Sequence, residues 1–140
     1  MTTSIKDIRA GLATNLKQVN GSRQVTPYRK TAPTPPALMV MGFSKITRTA
    51  FGHNSFELPF MVQGVAGAPT DESAYIRLDQ WLSPFGTGGT TNVWVAIEYD
   101  PTLGGKVSTT YVTKCDGEQF LQVQPGVEML GSTWHVTIEL

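Results

Sequence analysis

The sequence predicts an α+β fold of two layers, a mostly antiparallel β-sheet with helices packed on one face. Three observations predict it. Two segments repeat apolar residues at spacings of three and four, the mark of a helix with one buried stripe: SIKDIRAGLATNLKQV carries Ile5, Ile8, Leu12, Leu16 and Val19, and TDESAYIRLDQWL carries Ala74, Tyr75, Leu78, Trp81 and Leu82. Other segments alternate with period two, most clearly where Phe56, Leu58, Phe60 and Val62 interleave with Glu57, Pro59, Met61 and Gln63. The C-terminal STWHVTIEL sorts Trp134, Val136, Ile138 and Leu140 onto one face and Thr133, His135, Thr137 and Glu139 onto the other. That is the pattern of an antiparallel sheet with one covered face and one polar face.

The elements follow in order. Ser4 can cap the first helix with Asp7 three residues on, and Asn20-Gly21 supplies a left-handed stop. RQVTPY is a short strand. TAPTPP, Thr31 to Pro36, lacks too many backbone donors for a strand or helix interior and is an extended loop. ALMVM resumes as a buried strand and SKITRTAF as a weaker one. In the strand that begins at Phe56, Pro59 implies an edge or a bulge. Thr70 can cap the second helix, with Asp71 and Glu72 in the first turn where the helix dipole favours acids, and Pro84 and Gly86 end it. NVWVAIEY is ambiguous: its β-branched residues favour a strand, yet Thr91 or Asn92 could cap two helical turns before Pro101. KVSTTYVTKC and EQFLQVQ flank Asp116-Gly117, the pair that a two-residue hairpin turn requires, so the two strands are expected to pair; Pro125-Gly126 makes the next break.

Composition bounds the chemistry. At 140 residues, 40% apolar and 16% charged, the chain suits one domain, 1–140, burying roughly two thirds of its unfolded surface. The apolar run from Ala37 to Phe43 is too short to cross a bilayer, and MTTSIKDIRAG places charges where a signal peptide is apolar, so a soluble, unexported protein is expected. The single Cys115 allows no intramolecular disulfide and reads as a small core residue in a reducing cytoplasm. Net charge is zero, but residues 1–48 hold eight of the eleven Lys and Arg against the lone Asp7, a local +7 that the remaining residues balance at −7. Such a split ends either as intermingled surface or as one basic and one acidic face, the latter suited to contact between identical copies or with a nucleic acid.

No constellation points to catalysis. GTGGTT, Gly86 to Thr91, lacks the Lys-Ser or Lys-Thr of a phosphate loop and the third glycine of a dinucleotide fingerprint, and it follows a helix rather than a strand. His53 lies in a turn composition and His135 on the polar side of a strand, with no acid at ligand spacing. No serine sits in a Gly-x-Ser-x-Gly elbow, and Asp71-Glu72, Glu98/Asp100 and Asp116/Glu118 serve a helix start, the approach to Pro101 and a turn. No catalytic, cofactor or metal-binding residue is assigned, and no enzyme is expected. RQVTPYRK, where Arg23, Arg29 and Lys30 surround Tyr28, is the best nucleic-acid candidate, weighed against a solvated strand edge or a subunit contact.

Four stretches remain, in order over nearly the whole chain: KDIRAGLATNL; TPPALMV; RLDQWLSPFG; and VAIEYDPTLGGKV with the terminal LGSTWHVTIEL. Together they resemble the tail terminator proteins of long-tailed bacteriophages. The most specific part is Arg77-Leu78-Asp79, a Gly-rich loop, a short helix, then Asp100-Pro101-Thr102-Leu103-Gly104-Gly105. The resemblance implies that NVWVAIEY is helical, although Val93, Trp94 and Val95 are weak helix formers, and GTGGTT is longer and richer in glycine than the resemblance leads one to expect. It implies a small α+β subunit that closes into a homo-oligomeric ring, usually a hexamer, on the finished tail tube, stops tube polymerisation and offers a surface for head joining. Implied partners are further copies of itself, the major tail tube protein and the head-tail connector, with DNA passing through the ring without specific binding, no cofactor and no membrane. The implied location is the head-proximal end of the virion tail, with host cytoplasm during assembly. Subunit or tube contacts are assigned to Arg23, Arg29, Lys30, Arg48, Gly88 and Gly89. Another head-tail connector or minor tail component is the alternative, and a nucleic-acid-binding module a third reading.

Overall fold

The computed structural model describes residues 4–19, 22–30, 32–48, 55–84 and 92–140. The first helix, α1 (Ile5–Leu16), starts where the sequence places it: the Asp7 N–H donates to Ser4 Oγ (3.2 Å) and the Ser4 N–H to the Asp7 carboxylate (3.3 Å), a reciprocal capping box. Ile8, Leu12, Leu16 and Val19 are buried as the spacing demands, whereas Ile5 remains exposed. The Asn20-Gly21 stop lies outside the described residues.

Among the described residues, seven strands form one mixed sheet: β1 (Gln24–Thr26), β2 (Ala37–Phe43), β3 (Thr47–Arg48), β4 (Phe56–Gly67), β5 (Thr109–Cys115), β6 (Gln119–Gln124) and β7 (Val127–Glu139). Their order is β1-β2-β4-β7-β5, with β3 beside β4 and β6 beside β7. Of these strands β1 and β2 pair in parallel, and the other pairs are antiparallel. Together with α2 (Glu72–Leu82) and α3 (Val93–Ile97), this is the expected α+β fold. The centre is the β4–β7 ladder, in which Leu58, Phe60 and Val62 stand opposite Ile138, Val136 and Trp134. All six of these side chains are buried, and they form the floor on which the helices pack.

Two expectations are corrected by tertiary pairing. Asp116-Gly117 does not close a hairpin between β5 and β6. Both strands pair with β7 instead, β5 with Trp134–Glu139 and β6 with Val127–Gly131, so they run end to end along one side of it. Asp116-Gly117 is the kink between them: Gly117 takes φ +80°, the Asp116 N–H donates to the Thr133 carbonyl (3.0 Å), and the Asp116 carboxylate meets His135 Nε2 at 3.0 Å. A 13-residue β7 offers more ladder than a local two-strand pairing, and the hairpin forms one break later, with Gln124 opposite Val127 around Pro125-Gly126.

Pro59 lies neither on an edge strand nor at a bulge but in the central β4, opposite Thr137 of β7, while the register shifts of β4 fall opposite Val40–Gly42 of β2 and between Val65 and Gly67. It is tolerated because, on the other side of β4, β2 pairs only as far as Phe60 and β3 begins at Glu57, leaving no partner for a missing N–H at 59. The weak strand SKITRTAF contributes only Thr47 and Arg48, and its end from Thr49 onward lies outside the described residues.

The cap of α2 is Asp71 rather than Thr70: the Asp71 carboxylate accepts the Ser73 N–H at 3.0 Å, a stronger acceptor than a hydroxyl and one residue closer to the first turn. Ala74, Leu78 and Trp81 are buried beneath α2, with Tyr75 and Leu82 packed at the margin. Trp81 converges with Leu38 and Trp134 over Gly64, where the absent side chain leaves room for the indole.

NVWVAIEY forms α3, with Asn92 as its cap accepting the Val95 N–H at 3.3 Å. Its far end is held by a residue of α1. Asn15 is 3% exposed, and its Nδ2 donates to the carbonyls of Ile97 (2.9 Å) and Asp100 (3.0 Å), supplying donors that a five-residue helix cannot supply for its own last turn. Asn15→Ala is expected to cost about 1–3 kcal/mol by leaving both carbonyls without that donor. Urea denaturation checks it, and an unchanged midpoint would mean that α3 is held by packing alone.

The outward face of the sheet is less polar than the alternation of β7 suggests. Ala37, Met39 and Val65 on that face are fully buried, and Thr133 and Thr137 nearly so. The proline loop is tied to this side of the sheet: Gln24, in register with Ala37, accepts the Thr34 N–H (3.0 Å), and Pro33 and Pro36 are buried.

Candidate functional site

The loop Asp100 to Gly105 is built around one carboxylate. Asp100 accepts the Gly104 N–H (2.8 Å), the Thr102 hydroxyl (3.0 Å) and the Thr102 N–H (3.3 Å), while the Gly105 N–H donates to Thr102 Oγ1 (3.2 Å). Leu103, at φ +49°, is held in a left-handed conformation unusual for a branched side chain, which buries it against Gly11 of α1. The loop is thus a closed structural joint with its acceptor already used.

The Gly104 N–H, followed by the Thr102 hydroxyl, holds the Asp100 carboxyl below its ordinary 3.8, and the Ser4 N–H and hydroxyl do the same for Asp7. A depressed carboxyl contributes stability in full above the unfolded-state value and loses it as pH falls through the folded-state value. Thermal melts of the wild type and of Asp100→Asn should therefore differ at pH 7 and converge as pH falls through the lowered folded-state value. A gap that persisted in acid would show that the loop draws nothing from this charge.

The residues assigned to contacts fall on different parts of the sheet. Arg23 stands directly before β1, and Arg29 and Lys30 just after it, all three exposed, so they flank one lateral edge. Arg48 is exposed on β3, beside β4, with its guanidinium 5.4 Å from the centre of the Phe56 ring; it does not join the other three. Gly88 and Gly89, with the rest of GTGGTT, lie outside the described residues, as does His53.

The opposite lateral edge is formed by β5 and β6. Exposed Asp116 and Glu118 lie between them, and exposed Glu128 stands opposite Gln122. Glu98 accepts the Val112 N–H of β5 at 3.4 Å, while Lys114 is the one lysine on these two strands. Part of each half of the sequence therefore reaches an end of the strand order: Arg23, Arg29 and Lys30 of the basic half flank β1, and Asp116, Glu118 and Glu128 of the acidic half lie at β5–β6. Among the described residues, no Lys or Arg of the first 48 positions takes part in an ion pair.

Two functional-looking side chains escaped the sequence reading. Arg9 reaches from α1 to the carbonyls of Pro27 (3.1 Å) and Val40 (3.2 Å) and lies 4.7 Å from the Tyr28 ring centre and 5.7 Å from that of Phe60. It ties α1 to the end of β1 and occupies a face of Tyr28 that a nucleic-acid base would need. Its position beside Ile8 on the flank of the apolar stripe was the available signal. Asn15 was legible in the same way, seven residues after Ile8 and so on the buried side of α1.

Cys115 is partly buried, with Sγ 3.2 Å from Ser132 Oγ. Among the described residues, no group of three or more His, Cys, Asp or Glu could hold a metal ion. No helix among them is long and apolar enough to cross a membrane. No family model matches the chain, and a search of curated proteins finds no match to it.

Proposed function

We propose that the chain is a phage assembly subunit that closes into a homo-oligomeric ring, a hexamer in the resemblance, at the end of a tail tube. The ring terminates tube polymerisation and presents the head-joining surface. It makes and breaks no bond, and its partners are its own copies, the major tail tube protein and the head-tail connector. It acts in the host cytoplasm during assembly and stays in the virion at the head-proximal end of the tail.

The observation that carries this reading is the separation of charge across the sheet, basic at β1 and acidic at β5–β6. Two different, complementary edges on one molecule make a heterologous interface, and such an interface generates a ring when its rotation closes. The four stretches that resemble tail terminators support the same role. Arg9 against Tyr28 favours this reading over base stacking by RQVTPYRK.

The experiment is native mass measurement and electron microscopy of the purified protein, alone and mixed with tail tubes. Rings at tube ends and tubes of limited length are expected. Bare ends and unlimited growth in its presence would overturn the proposal, as would binding to connector complexes without any effect on tubes. Retention on DNA should be absent at moderate salt, because three cations beside a covered ring release few counterions.

A further inference from the structure

Strand β6 is an edge with little to protect it. Natural edge strands are blunted by charge, proline or cover, yet β6 presents Phe120, 60% exposed, and partly exposed Leu121 and Val123, with no partner strand on its outer side among the described residues. Its neighbour β5 is less open, since Glu98 already accepts the Val112 N–H there. The other end of the sheet is β1, also unpaired on its outer side among the described residues.

We infer that β6 of one copy takes β1 of the next as an added antiparallel strand, and that this is the contact that propagates the ring. The inference rests on the ring reading and names its contact. Three properties of the two edges fit together. Through the antiparallel pairs β2–β4, β4–β7 and β7–β6, β1 and β6 run in opposite directions, so a neighbour in the same orientation meets β6 in the antiparallel pattern. In that alignment Arg29 and Lys30, past the end of β1, face Glu118, which directly precedes β6, and Arg23 falls beside the far end of β6 at Gln124. The two exposed aromatics also share a side. Phe120 is opposite Leu130 of the core, and Tyr28 lies against Arg9 of α1, so both stand on the helix-bearing face and meet when the edges join.

The test uses the whole chain in two measurements. Sedimentation across a concentration series, with and without tubes, reads association, and hydrogen exchange on either side of assembly reads which amides become protected. Protection is expected at Gln24–Thr26 and Gln119–Gln124 together. Lys30→Glu and Glu118→Lys should each weaken association about tenfold, and the double variant should recover most of it, since the swapped charges attract again.

Assembly without protection in β1 and β6, or a double variant no better than the single ones, overturns strand addition and leaves the ring reading standing if tubes are still capped. Protection of β6 that appears only with tubes, and without β1, assigns this edge to the tube protein and overturns the inference as well. A chain that stays monomeric under every condition removes both.

Discussion

Trp81→Ala is expected to destabilise the protein by about 3–5 kcal/mol, the range for losing a buried tryptophan from a packed core. The indole is 1% exposed and meets Leu38 and Trp134 above Gly64. It joins α2 to β2, β4 and β7 at once. Collapse into the vacated space is hindered because the residue beneath is a glycine, with no side chain to swing up, and because its neighbours are held in the β2–β4–β7 ladders. In a domain with a total stability of about 5–15 kcal/mol such a loss is a large fraction. Urea denaturation measures it, with Ile76→Ala as the control on the same helix: Ile76 is 54% exposed and its truncation should shift stability by less than about 0.5 kcal/mol. Equal effects from the two substitutions would mean that α2 does not pack through the Trp81 face.

Gly131→Ala is expected to be as damaging by the opposite route, through excess rather than missing volume. Gly131 stands opposite Val65 in the β4–β7 ladder and opposite Gln119 in the β6–β7 ladder. A methyl group added there would overlap the carbonyl oxygen of Gly64, which is backbone and cannot rotate away, and would come within 2.7 Å of Leu121 Cδ1. Relief requires β7 to move away from β4 where that ladder already shifts register between Val65 and Gly67. We expect a loss of about 3 kcal/mol or more, the upper end for overpacked sites. Loss of hydrogen-exchange protection should extend along β4 and β7 together. A variant as stable as the wild type would require the two strands to sit farther apart than they do here.

How much of this was legible depended on whether the deciding interaction was local. The α1 capping box was readable because Ser4 and Asp7 are three residues apart and act on each other's backbone. The interleaving of Phe56, Leu58, Phe60 and Val62 was readable because a strand turns alternate residues to opposite faces. Asp116-Gly117 misled because a turn-forming pair states only that the chain can bend, not which strand waits beyond the bend. Pro59 misled for the same reason: its missing donor disqualifies a position only if another strand asks for it, and β2 and β3 leave that position unasked. Of the candidate contacts, the sequence showed that charge is divided between the halves of the chain. It did not show that Arg23, Arg29 and Lys30 would share the β1 edge while Arg48 would lie apart beside Phe56.

The periodicities, the caps and the proportion of apolar residues, all consequences of chemistry within one or two turns of chain, were enough to specify an α+β sheet with a helix-covered face. The order of the strands, the end-to-end placement of β5 and β6 along β7, the reach of Asn15 to the end of α3, and the arrival of opposite charges at opposite edges were set by contacts between residues far apart in sequence. Such contacts depend on which surfaces bury the most area together, a competition among all segments at once that no single segment records.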